Sequence, residues 1–442
     1  MRSGGKAKRM NTNRMIRAVE AAEPIRIRGK VSQVVGLVIE TNGPPVSIGE
    51  SCRIDGPKGG TPVFTEVVGF KENRVLMMPL GEMQGIAPGS RVTAMDEPFA
   101  VRVGDELLGR VINGLGEPID EKGPIWSSEK RPASSPPPDP MTRRRIQEPL
   151  GTGIRAVDTL LTCGKGQRVG IFSGSGIGKS VLLGMLAKHS DADISVIALI
   201  GERGREVREF LERDLGPEGL ARSIVVVATS DQPALVRIKG AHVATAIAEY
   251  FRDQGKDVML LMDSVTRVAT AQREVGLAIG EPPTTRGYTP STFALLPRLL
   301  ERAGMGMRGS ITGLYTVLVE GDDLDEPVAD AVRAILDGHI VLSRRLAALG
   351  HYPAIDPLGS VSRVMGEVVT PEHMERANRI KEIMVTHREA EDLINVGAYQ
   401  RGNSEQIDFA IDHIDRINQL LRQDVNEHFE FDQSVEEMIH LL

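Results

Sequence analysis

Eight residues, Ser173-Gly174-Ser175-Gly176-Ile177-Gly178-Lys179-Ser180, constrain this chain more than any other stretch. They follow an apolar run at 168–172 and precede a helical run at 181–188, so a strand must turn abruptly into a helix. Glycines let backbone N–H groups close around phosphate oxygens, and the start of the helix adds positive potential. Gly174, Ser175, Gly176, Ile177, Gly178, Lys179, Ser180 and Val181 are therefore expected to cradle ATP. In such a loop the lysine, here Lys179, reaches the β- and γ-phosphates, and the hydroxyl of Ser180 ligates Mg2+. One position departs from the usual pattern, which opens on glycine where this chain has Ser173; that position mainly serves the turn. The bland alternative, an ordinary glycine-rich turn, fits poorly with an intact Gly-Lys-Ser between strand and helix.

The surroundings agree with that turn. Apolar runs at 168–172, 194–200, 224–228, 258–262 and 314–319 alternate with helical segments, the pattern of a mainly parallel sheet covered on both faces. Residues 101–370 thus read as a P-loop ATPase domain, an α/β core that includes a Pro-rich extended linker at 131–142. Ahead of it, 25–100 show short apolar runs cut by turn residues such as Asn42-Gly43 and Pro88-Gly89, the texture of a small β-barrel. Behind it, 371–442 turn polar and helical. Ile407, Ile411, Ile414, Ile417 and Leu421 mark one face at three- and four-residue spacing.

Two further runs end in charge. The run at 258–262 is followed by Asp263, which in a parallel sheet emerges beside the phosphate loop and holds Mg2+ through water. The run at 194–200 leads into Gly201-Glu202-Arg203-Gly204-Arg205-Glu206. A carboxylate there orients the water that attacks the γ-phosphate. Glu202 takes that role, with Glu206 in the outer shell of the metal and Arg203 near the γ-phosphate. Without the phosphate loop the same stretch would read as a charged surface turn.

Composition excludes several classes. No stretch approaches the ~18 unbroken apolar residues of a membrane span, and the first residues lack the apolar region of a secretion signal, so the expected location is cytoplasmic. Cys52 and Cys163 stand far apart without a partner motif, which argues against a disulfide framework or zinc site. Aromatic residues make up 4% and the net charge is −7, both unfavourable to a nucleic-acid platform. Charge is uneven, however. Residues 1–17 carry six Lys or Arg and no acid, while 424–442 carry six acids and no Lys or Arg. Residues 1–24 form a basic tail in which Met15, Ile16 and Val19 share one helical face before Pro24.

Longer blocks then carry a resemblance. Gly201-Glu202-Arg203-Gly204-Arg205-Glu206-Val207-Arg208-Glu209-Phe210, Glu281-Pro282-Pro283-Thr284-Thr285-Arg286-Gly287-Tyr288 and His351-Tyr352-Pro353-Ala354-Ile355-Asp356 resemble the flagellar and type III secretion export ATPases, relatives of the rotary ATP synthase head. The resemblance implies a RecA-like core and a homohexamer with ATP between subunits. It adds Arg267 as a phosphate-facing arginine and Arg363 as the arginine finger of the neighbouring subunit. It also implies partners: a stator-like regulatory protein at the N-terminal tail, a central stalk protein, export chaperone–cargo complexes and an export gate at the inner membrane. The segment 280–291 would face the central pore. Two features depart from the rotary synthase. Met374 stands where an aromatic adenine platform is expected, and the acidic rotor-contact motif is replaced by Val396-Gly397-Ala398-Tyr399-Gln400-Arg401-Gly402. Both favour the export branch over a rotary subunit. A non-catalytic scaffold would have Gln where Glu202 stands.

Overall fold

The computed structural model describes residues 27–56, 60–174, 176–319, 321 and 323–441. The basic tail with Met15, Ile16 and Val19, and also Ser175, lies outside the described residues. The chain divides into two compact units, the first ending at Pro98 and the second running from Phe99.

In the first unit, alternation of buried and exposed residues closes six antiparallel strands into a barrel. Their spatial order is Arg28–Val35, Val38–Asn42, Arg74–Pro79, Val63–Lys71, Glu50–Ile54 and Arg91–Pro98. Val31, Ile39, Ile54, Val67, Met77 and Val92 fill the interior together with Cys52. The apolar run at 31–39 is two strands rather than one, because Gly36 at φ 57° turns the chain back.

In the second unit the sheet runs in the order Ile355–Ser362, Gly338–Leu342, Arg168–Ser173, Ser310–Leu318, Asp257–Asp263, Ile194–Ile200, Ser223–Ala228, Val111–Asn113. All neighbours are parallel except Ile355–Ser362, which runs antiparallel at one edge. Alternate residues serve two cores. Ile197, Leu199, Met259 and Leu261 face the phosphate-loop helix Lys179–His189 and the C-terminal helices. Val196, Ala198, Leu260 and Met262 face the helices Ala234–Asp253, Val265–Ala278 and Pro290–Leu300. Covering both faces is what makes these strands near-continuous in apolar residues.

Three C-terminal helices, Pro371–Asn395, Glu405–Leu421 and Phe431–Ile439, pack on the first of these faces. Ile417 and Leu421 are buried there, with Ala410 and Leu420; Ile407, Ile411 and Ile414 are half-buried on the same stripe. Among the described residues no helix is long and apolar enough to cross a membrane.

Within the Pro-rich linker 131–142 Ala133 alone is buried, and the rest is exposed or half-buried. Glu129–Pro132 pairs with Ala100–Val103, and Ala133 is fully buried. Its carbonyl accepts from Arg302 at 2.8 Å, while the same guanidinium forks onto Glu249 at 2.8 and 2.7 Å and touches His242 Nδ1 at 3.1 Å. Both charges are buried, so each depends on the other. Arg302→Ala is expected to cost about 3–5 kcal/mol by stranding the Glu249 carboxylate. The urea unfolding midpoint of the purified chain measures it.

Candidate active site

The helix Lys179–His189 begins at Gly178, which is left-handed at φ 89°, and Gly176 also has positive φ at 78°. Both positions need glycine, because any Cβ would strain that backbone. Ser173 is not among the residues with positive φ, and its carbonyl accepts from Val319 N at 3.1 Å. The serine at the head of the loop therefore costs no conformational freedom.

Sheet order converges three strand ends on this loop. Between the phosphate-loop strand and the strand ending at Asp263 runs Ser310–Leu318, which places Thr316 between them. Lys179 Nζ donates to Asp263 Oδ1 at 2.5 Å and lies 3.6 Å from Glu202 Oε1. The Thr316 hydroxyl donates to the same Asp263 oxygen at 2.7 Å. Glu202 follows the next strand, where Leu199 pairs with Asp263. Lys179, Glu202 and Asp263 thus meet although Lys179 and Asp263 lie 84 residues apart in sequence.

Burial sets the electrostatics. It pushes the Glu202 carboxyl up to about 7; the Asp263 charge adds to the shift and Lys179 opposes it. Burial also disfavours charge on Lys179, but Asp263 and Glu202 outweigh it and hold the ammonium above its ordinary range. Glu206 adds to the rise at Glu202 through a hydrogen bond.

The other expected residues lie around this centre. Arg267 packs against Gly201, where an added Cβ would come within 2.8 Å of its Cβ, so its stem lies beside the strand end that carries Glu202. Its backbone is capped by Ser264, which accepts from Arg267 N at 3.3 Å. Arg203 points outward, with a side chain 78% exposed and paired to Glu206 at 3.4 Å. Ser180 and Val181 occupy the first turn of the phosphate-loop helix.

Arg363 stands elsewhere. It follows Ile355–Ser362, whose antiparallel course brings Ser362 opposite Gly338, while His339 is level with Gly170. Arg363 is exposed at the end of the sheet where the phosphate-loop strand starts, some four or five residues or ~15 Å from where it ends.

Two neighbours were not read from sequence. Thr316 is invisible there because its role depends on strand order. Tyr352, 46% exposed, has its ring 3.5 Å from where a Cβ on Gly178 would stand. The signal for it was present in the His351-Tyr352-Pro353 block, but only the fold puts that block beside the loop. Met374 instead packs against the sheet-side core.

Oxygen ligands suit a small hard cation, which usually takes one or two carboxylates, phosphate oxygens and water. The Ser180 hydroxyl and the Asp263 carboxylate are of that type, and among the described residues no cluster of three or more His, Cys, Asp or Glu forms a metal cage of its own. The donor set fits a magnesium ion that arrives with a nucleotide.

With this geometry in place, comparison with known proteins is informative. Residues 153–362 match the ATP synthase alpha/beta family, nucleotide-binding domain; 31–96 match the beta-barrel domain of that family, and 369–440 the T3SS EscN ATPase C-terminal domain. The chain is 56% identical to the flagellum-specific ATP synthase of Bacillus subtilis over 95% of its own length and 96% of that protein. It is 52% identical to the type 3 secretion system ATPase of Xanthomonas euvesicatoria, covering 92% of each. Among solved structures it resembles the assembled ATPase EscN of the enteropathogenic E. coli type III secretion system, with a TM-score of 0.87 and 45% identity over 93% of this chain and 99% of that one. A second structure, EscN in complex with its central stalk EscO, gives a TM-score of 0.86.

Two outcomes are expected from this geometry. Thr316→Val leaves Asp263 without its hydroxyl donor and should lower kcat/KM for MgATP by roughly tenfold to a hundredfold, from the usual worth of a hydrogen bond to a charged group. On the expectation that Glu202 accepts the proton of the attacking water, for which it must be ionised, kcat/KM should fall as pH drops through about 7. A pH–rate profile of the free enzyme reads it.

Proposed function

This chain belongs to the ATP synthase alpha/beta family, in the branch of the flagellum-specific and type III secretion ATPases, and from that premise we propose how its residues hydrolyse ATP for protein export. It is an ATP hydrolase of the export type. The observation that carries the mechanism is the half-buried Glu202 carboxyl, within 3.6 Å of Lys179 and with its pKa raised to about 7.

The triphosphate lies on the backbone N–H groups from Gly174 to Val181, with Lys179 turned from Asp263 to the β- and γ-phosphates. Ser180 and Asp263 would hold Mg2+, with Glu206 further out, and the ion would supply positive charge to neutralise the phosphate oxygens. Glu202 orients a water in line with the γ-phosphate and takes its proton as the P–O bond to the ADP leaving group breaks. Its raised pKa suits it to that transfer near neutral pH. Arg267 and Arg203 face the phosphates from beside Glu202, Arg203 by turning inward from its exposed position. The Tyr352 ring offers a flat face to the base beside Gly178.

Arg363 acts in trans. Topology supports this, because it is exposed at the far end of the sheet from its own phosphate loop. A neighbouring copy can present it to the γ-phosphoryl group, where such fingers add roughly 10³–10⁵ in rate. The assembly is a homohexameric ring in the cytoplasm, peripheral to the inner membrane. The basic tail meets a stator-like regulatory protein, the segment 280–291 grips cargo or a central stalk, and the ring releases chaperones from cargo and passes it to the export gate. The solved EscN–EscO complex supports the stalk by similarity. The flagellar system is the setting favoured by the Bacillus relative; virulence-type secretion uses the same chemistry.

Glu202→Gln should lower turnover by roughly 10²–10⁴ while ATP binding, read by equilibrium titration, persists. Substantial turnover by that variant would end the assignment. Mixing Lys179→Ala and Arg363→Ala chains, each inactive alone, should restore part of the activity, since some seams then pair an intact loop with an intact finger. No recovery in co-assembled rings would show that Arg363 does not act across a seam.

A further inference from the structure

We infer that Gln423 is a positioning residue for the nucleotide base, because its backbone N–H holds the Tyr352 carbonyl while its buried side-chain amide fixes that backbone against Gly153 and Arg155. The inference rests on the reading of Tyr352 as a wall for the base.

Gln423 lies between the helices Glu405–Leu421 and Phe431–Ile439 and is 5% exposed. Its backbone N–H donates to the Tyr352 carbonyl at 2.9 Å. The side-chain oxygen accepts from Arg155 N at 3.0 Å, and the side-chain nitrogen donates to Gly153 O at 2.8 Å and Glu427 O at 2.9 Å. One residue thereby joins three stretches that are remote in sequence. Every polar group of its amide is engaged, so any replacement leaves buried partners unsatisfied.

The post to which it is tied is itself rigid. Gly153 N and Thr152 N both donate to the buried Asp158 carboxyl, at 3.0 and 2.9 Å, and the Thr152 hydroxyl donates there at 2.7 Å. Gly153 is left-handed at φ 71° and abuts His189, the last residue of the phosphate-loop helix. Around Gln423 the same C-terminal segment grips this end of the helix again. His428 stacks on His189 at 5.2 Å between centroids, and Phe429 lies under the Arg155 guanidinium at 4.0 Å. Val425, 36% exposed, engages His189 through its backbone.

The geometry divides the labour within the site. The phosphates are held by the loop and by strand ends, none of which Gln423 touches. The Tyr352 carbonyl is held by Gln423, so the ring's position over Gly178 depends on where the C-terminal segment sits. A helical region that moves when it meets a partner would then change the hold on the base without disturbing the hold on the triphosphate.

The test compares Gln423→Leu, Gln423→Glu and Tyr352→Ala in the full-length chain, using MgATP as substrate and Mg-tripolyphosphate, which has no base, as a competitive inhibitor. Gln423→Leu should raise KM for ATP roughly three- to tenfold, the usual worth of a lost hydrogen bond, with kcat within twofold and inhibition by tripolyphosphate unchanged. Gln423→Glu loses the donors and sets a carboxylate oxygen against the Gly153 and Glu427 carbonyls, so its KM should rise at least as far as in Gln423→Leu; it also serves if the leucine variant does not fold. Equal weakening toward ATP and tripolyphosphate would overturn the inference, since the amide would then support the whole site. If Tyr352→Ala raises KM while neither Gln423 variant does, the Gln423 inference falls and the base wall stands. If Tyr352→Ala leaves KM unchanged, the base-wall reading falls and takes the inference with it.

Discussion

A buried ammonium must find opposite charge, and in this protein the pairing of Lys179 with Asp263 and Glu202 is the condition the second unit is built to meet. Each of the three stands at the C-terminal end of a different parallel strand or just past it. They converge because the strand order sets Arg168–Ser173, Ser310–Leu318, Asp257–Asp263 and Ile194–Ile200 side by side. Thr316 completes the set by giving Asp263 a neutral donor as well as a cation. The excess of carboxylate over ammonium is tolerable because Glu202, desolvated beside Asp263, holds its proton to about pH 7. The same shift that relieves repulsion in the free chain suits the proton-accepting role proposed for Glu202.

The two ends of the sheet differ in consequence. At the strand C-termini lie the phosphate loop, the carboxylates and the Tyr352 loop. At the opposite end, the antiparallel edge strand delivers Arg363 to solvent. In the proposed mechanism a second copy presents this arginine to the site, which makes assembly part of the proposed chemistry. The C-terminal helices stand in a similar relation to the base. They reach the site through hydrogen bonds of Gln423 and ring contacts at His189, so they bear on the base side of the pocket and leave the phosphate side to the sheet.

Particular residues show where reading the chain succeeded. The strands at 168–173, 194–200, 223–228 and 257–263 announced themselves because both of their faces are covered, which demands unbroken apolar runs. Gly176 and Gly178 were legible because a left-handed backbone admits little else. The edge strands were not. Val111–Asn113 is three residues long, and Ile355–Ser362 contains Pro357 and Gly359 and buries only one face. The prolines of the linker mark extended chain, but nothing in them says that Ala133 is buried and its carbonyl bound to Arg302.

By itself, then, the order of residues determined the kind of layers and the nucleotide loop and singled out Lys179, Ser180, Glu202 and Asp263 as candidates, since those follow from local periodicity and from turns that only certain side chains permit. What the tertiary structure alone decided is which of these groups touch, that Thr316 and Tyr352 join them, that Arg363 faces away, and that Gln423 reaches Tyr352. Those are facts of strand order and of contacts between stretches remote along the chain. Local pattern carries no record of them, because a side chain's neighbours across a sheet are chosen by the whole fold.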